Sequence, residues 1–579
     1  MCGIIGYVGE RKASEIIYKG LKTLEYRGYD SVGVVVDTPD GIELRKDKGM
    51  VEDVSEAMQF TSMDGTTGIG HTRWATHGVP CKENAHPHTD CTGKIAIVHN
   101  GVIENYQELK EALGAKGHKF SSETDSEILA HLIEDEKKSG KDTFQALLAS
   151  LKKVKGSFAV ALLAEGERKL YVARKNSPLV IGLGKGESFA ASDMAGMLEH
   201  TKDFVPLGEL EAAVLETSGV RFYSLEGKEI KKTPMHVDWS PEMAEKGGYA
   251  HFMLKEIYDQ KHFVYESLAT DVSAANALIS KYRTIHITAC GTSYHAALMF
   301  KYLSQKYLGK TCDAIIASEY PFIASPDKDT LVIAISQSGE TADTMKALEH
   351  AKAKGAKILA LTNVVGSSIT RVADEVVYLN SGPEVSVAAT KTFTSQLAVI
   401  YKLLFPNNDF SEIPRIISDS LQKGQEIKKI AESMKGKTDV FFIGRGLSVP
   451  IAMEGALKLK EISYIHAEAY PGGELKHGPL SLITEGVPVI SLAPSDETVY
   501  KMLGNIKEVK ARGGIIISLN NSQEIEKESN ISISLSSVDP LLHPFAMVVP
   551  LQLLAYYVSV ARGINPDRPR NLAKSVTVE

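Results

Sequence analysis

Cysteine stands at position 2, in the opening Met1-Cys2-Gly3-Ile4-Ile5-Gly6. Removal of Met1, which a small second residue permits, would put a thiol and a free α-amine on one residue. With ordinary pKa values of about 8 for the amine and about 8.5 for the thiol, the amine can serve as the thiol's base without a histidine. Arg73, in Arg73-Trp74-Ala75-Thr76-His77-Gly78, offers a guanidinium able to grip a carboxylate through two parallel bonds. Asn100-Gly101 follows an apolar run, where a side-chain amide and a backbone N–H can stabilise an oxyanion. Asp125 suits a substrate ammonium, or equally the start of a helix. A nucleophile, an oxyanion donor pair and opposite charges for α-amino and α-carboxylate groups are what hydrolysis of a free amino-acid amide requires.

A second chemistry is written further along. Ser336-Gln337-Ser338-Gly339-Glu340-Thr341 follows the apolar run Leu331–Ile335 and precedes a helical stretch. Such a turn offers hydroxyls, backbone amides and the positive end of a helix dipole, which suits a phosphate monoester held without a metal. Gly291-Thr292-Ser293 ends the preceding apolar run in the same way. A nucleotide triphosphate loop is excluded. Gly309-Lys310-Thr311 and Gly436-Lys437-Thr438 carry Ser304 and Ala431 where that motif needs glycine. Cys81, His86, His88 and Cys91 lie close together, but no two cysteines form a tight clip and Pro87 stiffens the histidine pair, so no metal is expected there.

These residues need two kinds of scaffold. Through the first ~235 residues, short apolar runs such as Lys94–Val98 and Ser157–Leu162 alternate with turns, with helical stretches at Ala13–Leu24 and Ser126–Lys137. That pattern predicts a sheet-rich sandwich with helical layers. The polar stretch around Pro234–Tyr249 reads as a linker. Beyond it the order becomes strand, Gly/Ser loop, helix, with strands at Thr284–Ala289, Leu331–Ile335 and Lys357–Leu361, the signature of doubly wound parallel sheets. The same order returns about 155 residues later, at Val440–Ile443, Val487–Leu492 and Gly514–Leu519, which predicts a duplicated domain. In the second copy the loop reads Ala493-Pro494-Ser495-Asp496-Glu497-Thr498, with a carboxylate where the first has glycine. One copy is built for an anion and the other is not.

At 579 residues, 43% hydrophobic and 24% charged, the chain exceeds one core, and its net charge of −7 disfavours nucleic acid or an anionic membrane as partner. Five scattered cysteines fit a reducing compartment, and with no basic n-region at the amino terminus the expected location is cytoplasmic. The apolar stretch Phe545–Ala561, interrupted by Pro550 and Gln552, is expected to be a buried helix.

The segments Met1–Ile4, Tyr26-Arg27-Gly28-Tyr29-Asp30-Ser31, His71–Gly78 and His99-Asn100-Gly101 resemble the class II, N-terminal-nucleophile glutamine amidotransferases. Cys290–Ser293, Ser336–Thr341, Glu474-Leu475-Lys476-His477-Gly478-Pro479 and the tail Arg570–Glu579 resemble paired sugar-isomerase (SIS) domains. The order of the halves is similar to that of amidotransferases that aminate and isomerise fructose 6-phosphate. The resemblance implies an α/β fold class: an αββα sandwich at 1–235, a linker at 236–250, doubly wound SIS domains at 251–425 and 426–565, and a tail, 566–579, reaching the sugar site.

It implies roles as well. Cys2 attacks glutamine, Asn100 and Gly101 hold the oxyanion, Arg73, Thr76, His77 and Asp125 bind the amino-acid end, and Trp74 gates an ammonia channel. Ser293, Ser336, Gln337, Ser338, Thr341, Val387 and Ala389 bind the sugar phosphate. Glu461 moves the C1–C2 proton beside Lys458, His477 opens the ring from a neighbouring subunit, and Lys574 forms an imine with the ketose. No cofactor or metal is implied, and the partners are glutamine, fructose 6-phosphate and a second copy of the chain. Ala389 departs from the serine usual in the family, Val449 from an aromatic, and Pro471-Gly472 from small alanines. Amination of another sugar phosphate stays open. A sugar-phosphate sensor is disfavoured, because the chain shows no helix-turn-helix and no basic face.

Overall fold

The computed structural model describes residues 2–74, 78–237 and 246–576. Its contacts separate into two compact units, Met1–Ala244 with Ala573–Glu579, and Glu245–Leu572.

The first unit is built on alternation. Along Ile95–Ile103, Ala96 and Val98 join one apolar core, while Ile95 and Ile97 join another on the opposite face. Ala96 and Val98 share their core with Ile4, Val8, Val35 and Ile69 of a second sheet, so the two sheets pack face to face. One sheet has eight strands, in the order Met235–His236, Asp203–Pro206, Val180–Leu183, Ser188–Ala191, Gly3–Val8, Thr67–Arg73, Ser31–Thr38, Gly41–Lys48. The other has seven, ending Gly156–Ala164, Ile95–Ile103, His88–Thr89, and neighbouring strands in both sheets pair antiparallel. Helices Glu127–Lys138 and Thr143–Leu151 cover the outer face of the seven-stranded sheet. Helix Ala13–Leu24 covers the other sheet, close enough that a Cβ on Gly70 would sit 2.4 Å from Ile17. The layers are helix, sheet, sheet, helix, and Cys2 is the residue before the central strand Gly3–Val8.

The second unit holds two five-stranded parallel sheets. In the first, the order is Asp313–Ile316, Thr284–Ala289, Thr330–Ser336, Lys357–Thr362, Glu375–Tyr378. In the second it is His466–Pro471, Asp439–Gly444, Pro488–Ala493, Ile515–Asn520, Ile531–Ser534. Numbered within each sheet, both orders are 2-1-3-4-5, so the duplication read from the sequence extends to topology. In each, the chain reverses its winding between the first and third strands, the crevice where ligands of doubly wound sheets sit.

Helix His543–Ala561 runs through the core of this unit, packed on helices Ile413–Leu421, Gly424–Met434 and Ser448–Ser463. The stretch Pro540–Ala561 is long and apolar enough to cross a membrane, and 83% of its apolar window is buried inside the protein. Asp567, beyond the helix, accepts the N–H groups of Phe252 and Met253 at 2.8 Å each and so caps the first helix of the unit.

Candidate active sites

Cys2 is fixed by its backbone before its side chain. Its carbonyl accepts Nδ2 of Asn100 at 3.0 Å and Nε of Arg27 at 3.2 Å. The thiol sulfur accepts the N–H of Trp74 at 3.2 Å and faces the Trp74 carbonyl at 3.5 Å. Glycine at 28 is what lets this happen: a Cβ there would lie 2.6 Å from the Arg73 carbonyl carbon and 2.7 Å from the Trp74 nitrogen. Burial pushes the thiol pKa up, opposed by the amino-terminal charge, the Trp74 N–H and the guanidinium groups of Arg73 and Arg27.

The Asn100 side chain is hydrogen-bonded within the protein. Its amide nitrogen donates to the Cys2 carbonyl and to Ser192 Oγ at 2.9 Å, and its oxygen lies 2.9 Å from His71 Nε2. Both amide hydrogens are engaged within the protein, so an oxyanion role requires one of these bonds to exchange for the substrate oxygen. Ser192 completes the clamp by accepting the N–H of Ile4 at 2.8 Å. Gly101 has φ of +135°, and a Cβ would meet the Ser157 carbonyl at 2.1 Å, so no other residue fits. Asp125 is buried, and its Oδ2 accepts the Ile103 N–H at 2.7 Å, tying the Asn100 strand to the following helix. Arg73 is buried at the end of its strand and donates to the Gly78 carbonyl at 3.1 Å, with burial lowering its pKa. Trp74 packs edge-on against Tyr29 at 5.4 Å. Thr76 and His77 lie outside the described residues.

His86 and His88 do not converge with Cys81 and Cys91 as a ligand set. They stack in a buried row, with ring centroids 4.1 Å apart for His71–His86 and 4.5 Å for His86–His88. Burial drives the pKa of His71 down to about 3 and those of His86 and His88 well below the ordinary value. Cys91 faces elsewhere, towards His118 and His131.

In the second unit, strand Thr330–Ser336 ends in the predicted turn, directly beside Thr284–Ala289, whose own turn leads to Ser293. The Ser336 and Thr341 hydroxyl oxygens lie 3.2 Å apart, Gly339 N–H donates to Ser336 Oγ at 3.1 Å, and Glu340 N–H donates to Ser338 Oγ at 3.2 Å. Gln337 helps close the turn, its carbonyl accepting the Asn363 N–H at 3.1 Å. The Glu340 carboxylate accepts Ser368 N–H at 2.8 Å and Ser368 Oγ at 2.6 Å, so it braces the turn from behind. Ser293 is buried and accepts Gln396 Nε2 at 2.9 Å. Val387 is buried and Ala389 half-buried, in a loop held by Glu256 and Glu384 through the backbone N–H groups of Val385, Ser386, Thr390 and Thr392.

The equivalent turn of the second copy is filled from within. Asp496 Oδ1 accepts both the N–H and the hydroxyl of Thr498 at 2.7 Å, at the start of helix Val499–Lys510.

Glu454, Lys458 and Glu461, a spacing that usually marks a solvated helix face, are instead turned inward. Lys458 Nζ lies 3.5 Å from Glu454 and 2.6 Å from Glu461, and the exposure of the three side chains is 1%, 1% and 20% in chain order. Burial pulls the Lys458 pKa down, but Glu461 and Glu454 outweigh it and hold the ammonium above its ordinary value. Glu454 also accepts from Thr292 Oγ1 at 3.1 Å and sits 2.7 Å from His295 Nδ1. The chain Thr292–Glu454–Lys458–Glu461 therefore joins the first copy's Gly-Thr-Ser turn to a proton-transfer candidate on the second copy. His477 is exposed on a short 3-10 turn, Gly472–His477. Lys574 groups with the first unit, and Val576, two residues on, is 51% exposed.

Sequence reasoning missed Ser192, Glu454 and His295 as site residues and gave Arg27 no role. Arg27 lies inside the Tyr26–Ser31 segment, and Glu454 lies four residues before Lys458 and seven before Glu461. Ser192 and His295 carry no local signal, because only the fold brings them in.

Models of known families match both units: a glutamine amidotransferase domain at residues 71–199 and a SIS domain twice, at 278–405 and 433–562. Glutamine–fructose-6-phosphate aminotransferase [isomerizing] of Thermococcus kodakarensis is 50% identical, and that of Pyrococcus horikoshii 48%, each over 100% of both chains. The solved C-terminal domain of glucosamine-fructose-6-phosphate aminotransferase from Francisella tularensis is 38% identical, with a TM-score of 0.52, over 56% of this chain and 99% of that one. With identity of this level from end to end, both domain types in the same chain and the geometry above, the chain belongs to the glutamine–fructose-6-phosphate aminotransferase (isomerizing) family.

Proposed function

We infer that the chain moves the amide nitrogen of glutamine onto fructose 6-phosphate and isomerises the product to glucosamine 6-phosphate, releasing glutamate. The observation that carries this reading is the coexistence, in one chain, of a Cys2 thiol held on the Trp74 N–H and a hydroxyl-rich turn at a doubly wound switch point. Cys2 sulfur attacks the carboxamide carbon, the C–N bond breaks to release ammonia, and water cleaves the thioester to glutamate. Arg73, Thr76, His77 and Asp125 bind the amino-acid end, Arg73 taking the carboxylate and Asp125 the ammonium. Asn100 and Gly101 receive the oxyanion, and Trp74 gates the released ammonia.

The sugar phosphate lies on Ser336, Gln337, Ser338 and Thr341, with Ser293, Val387 and Ala389 around it. The Lys574 amine condenses with the C2 carbonyl and water leaves; ammonia then adds at C2 and displaces the lysine amine, leaving a C2 imine. Glu461 then takes a proton from C1 and returns one at C2, giving an aldehyde and a C2 amine. The ammonium of Lys458, held charged between two carboxylates, lies 2.6 Å from Glu461 and orients that carboxylate for the transfer. Lys574 serves as the imine-forming amine. His477, exposed on its own chain, acts in a neighbouring copy, which makes the working form a homodimer at least. The proposed setting is cytoplasmic.

The test is mass spectrometry of products from glutamine carrying a labelled amide nitrogen. Label is expected in an amino-sugar phosphate with fructose 6-phosphate, and none with Cys2→Ala. Glutamine-dependent product from Cys2→Ala would remove the nucleophile assignment.

A further inference from the structure

One cluster of ligand-type side chains has no part in the chemistry above. Cys91 lies in the turn between strands His88–Thr89 and Ile95–Ile103, His118 follows helix Tyr106–Ala115, and His131 and Glu134 lie one turn apart on helix Glu127–Lys138. Their potential ligand atoms all fall within 4.8 Å of one another. Cys91 Sγ is 3.7 Å from His118 Nδ1 and 3.5 Å from His131 Nδ1, and the two Nδ1 atoms are 3.4 Å apart. Glu134 Oε2 is 3.1 Å from His118 Nδ1 and 3.5 Å from His131 Nδ1. A tetrahedron with Zn–N and Zn–O near 2.0–2.1 Å and Zn–S near 2.3 Å has edges of about 3.3–3.6 Å. The observed edges cluster around that range.

We propose that Cys91, His118, His131 and Glu134 form a structural site for zinc or a cation of similar preference. The surroundings fit the assignment. Behind His131, Nε2 faces Glu127 Oε1 at 3.6 Å, the placement that turns an imidazole's other nitrogen towards a metal. The second oxygen of Glu134 is held by Lys138 Nζ at 2.6 Å, so the carboxylate is oriented as well. A thiolate and a carboxylate neutralise a divalent charge, which a site with His118, His131 and Glu134 buried needs. One sulfur with two imidazoles favours zinc over magnesium or calcium, and four protein ligands leave no open position, as in structural sites. Cys91 is exposed and gives the ion a route in. The site would staple the turn preceding the Asn100 strand to the helix that begins just after Asp125. It stands independently of the proposed transfer reaction.

The test uses the full chain, purified without a polyhistidine tag. After removal of metal by chelator, titration with Co²⁺ is expected to saturate at about one equivalent per chain. It should give the intense visible bands of four-coordinate cobalt and a near-ultraviolet thiolate band. Cys91→Ser should lose the thiolate band, while Cys81→Ser, elsewhere in the same unit, should keep it. Should Cys91→Ser fail to fold, the wild-type titration decides alone, and zinc should raise the wild-type Tm. Binding of less than about a tenth of an equivalent at equimolar Co²⁺ would overturn the proposal in favour of a purely hydrogen-bonded cluster. So would a thiolate band unchanged in Cys91→Ser.

Discussion

Gly339 shows how little spare room the phosphate turn has. Its φ is +64°, and a Cβ would meet Ser367 Oγ at 2.1 Å and Ile369 Cγ2 at 2.7 Å. Gly339→Ala should displace the turn that carries Ser336, Ser338 and Thr341. We expect the KM for sugar phosphate to rise about tenfold or more, equivalent to about 1.4 kcal/mol, with glutaminase turnover unchanged. Steady-state assays of the two half-reactions check this, and an unchanged sugar KM would dissociate the turn from phosphate binding. Residue types at this scale were legible where the chemistry is local, as in Ser336–Thr341. They were illegible where a partner arrives from across the fold, as Ser192 does at Asn100 and His295 at Glu454.

At the scale of an element, helix Ser448–Ser463 carries a cation between two carboxylates on its buried face. Lys458→Met would keep much of the volume but leave Glu454 and Glu461 without their counter-charge. Removing one partner of a buried ion set costs about 3–5 kcal/mol. Urea unfolding should therefore show a loss of that order, and a loss well below about 1 kcal/mol would mean that the carboxylates are satisfied by other groups. The strands were readable almost to the residue, because apolar runs in a doubly wound sheet are bounded by glycine and hydroxyl turns. Thr284–Ala289 was read with the bounds it has, and Leu331–Ile335 falls one residue short at each end. The inward face of helix Ser448–Ser463 was not readable. Its charges have the spacing of a solvated stripe, and only the packing of a neighbouring sheet's helices reverses that reading.

At the scale of the whole molecule, four buried histidines of the first unit set an acid limit on stability. His71 titrates at about 3, and His86, His88 and His99 are all lowered, each mainly by burial. As pH falls below about 6.5 the unfolded chain takes up protons that the folded chain refuses, so stability falls with pH. The loss per histidine approaches about 1.4 kcal/mol per pH unit, and for His71 it ends near pH 3, where the folded form protonates too. Calorimetry between pH 7 and 5 should show Tm falling, with net proton uptake on unfolding; a flat profile would contradict the neutral histidine row. The two-part organisation was legible from the change of periodicity near Pro234, whereas the grouping of Ala573–Glu579 with the first unit was not. Asp496 has a consequence for stoichiometry. Twin cradles are inherited by the duplicated half, yet one comes with its guest already sewn in as a side chain. Equilibrium dialysis against the ketose ester should level off at about one molecule per polypeptide.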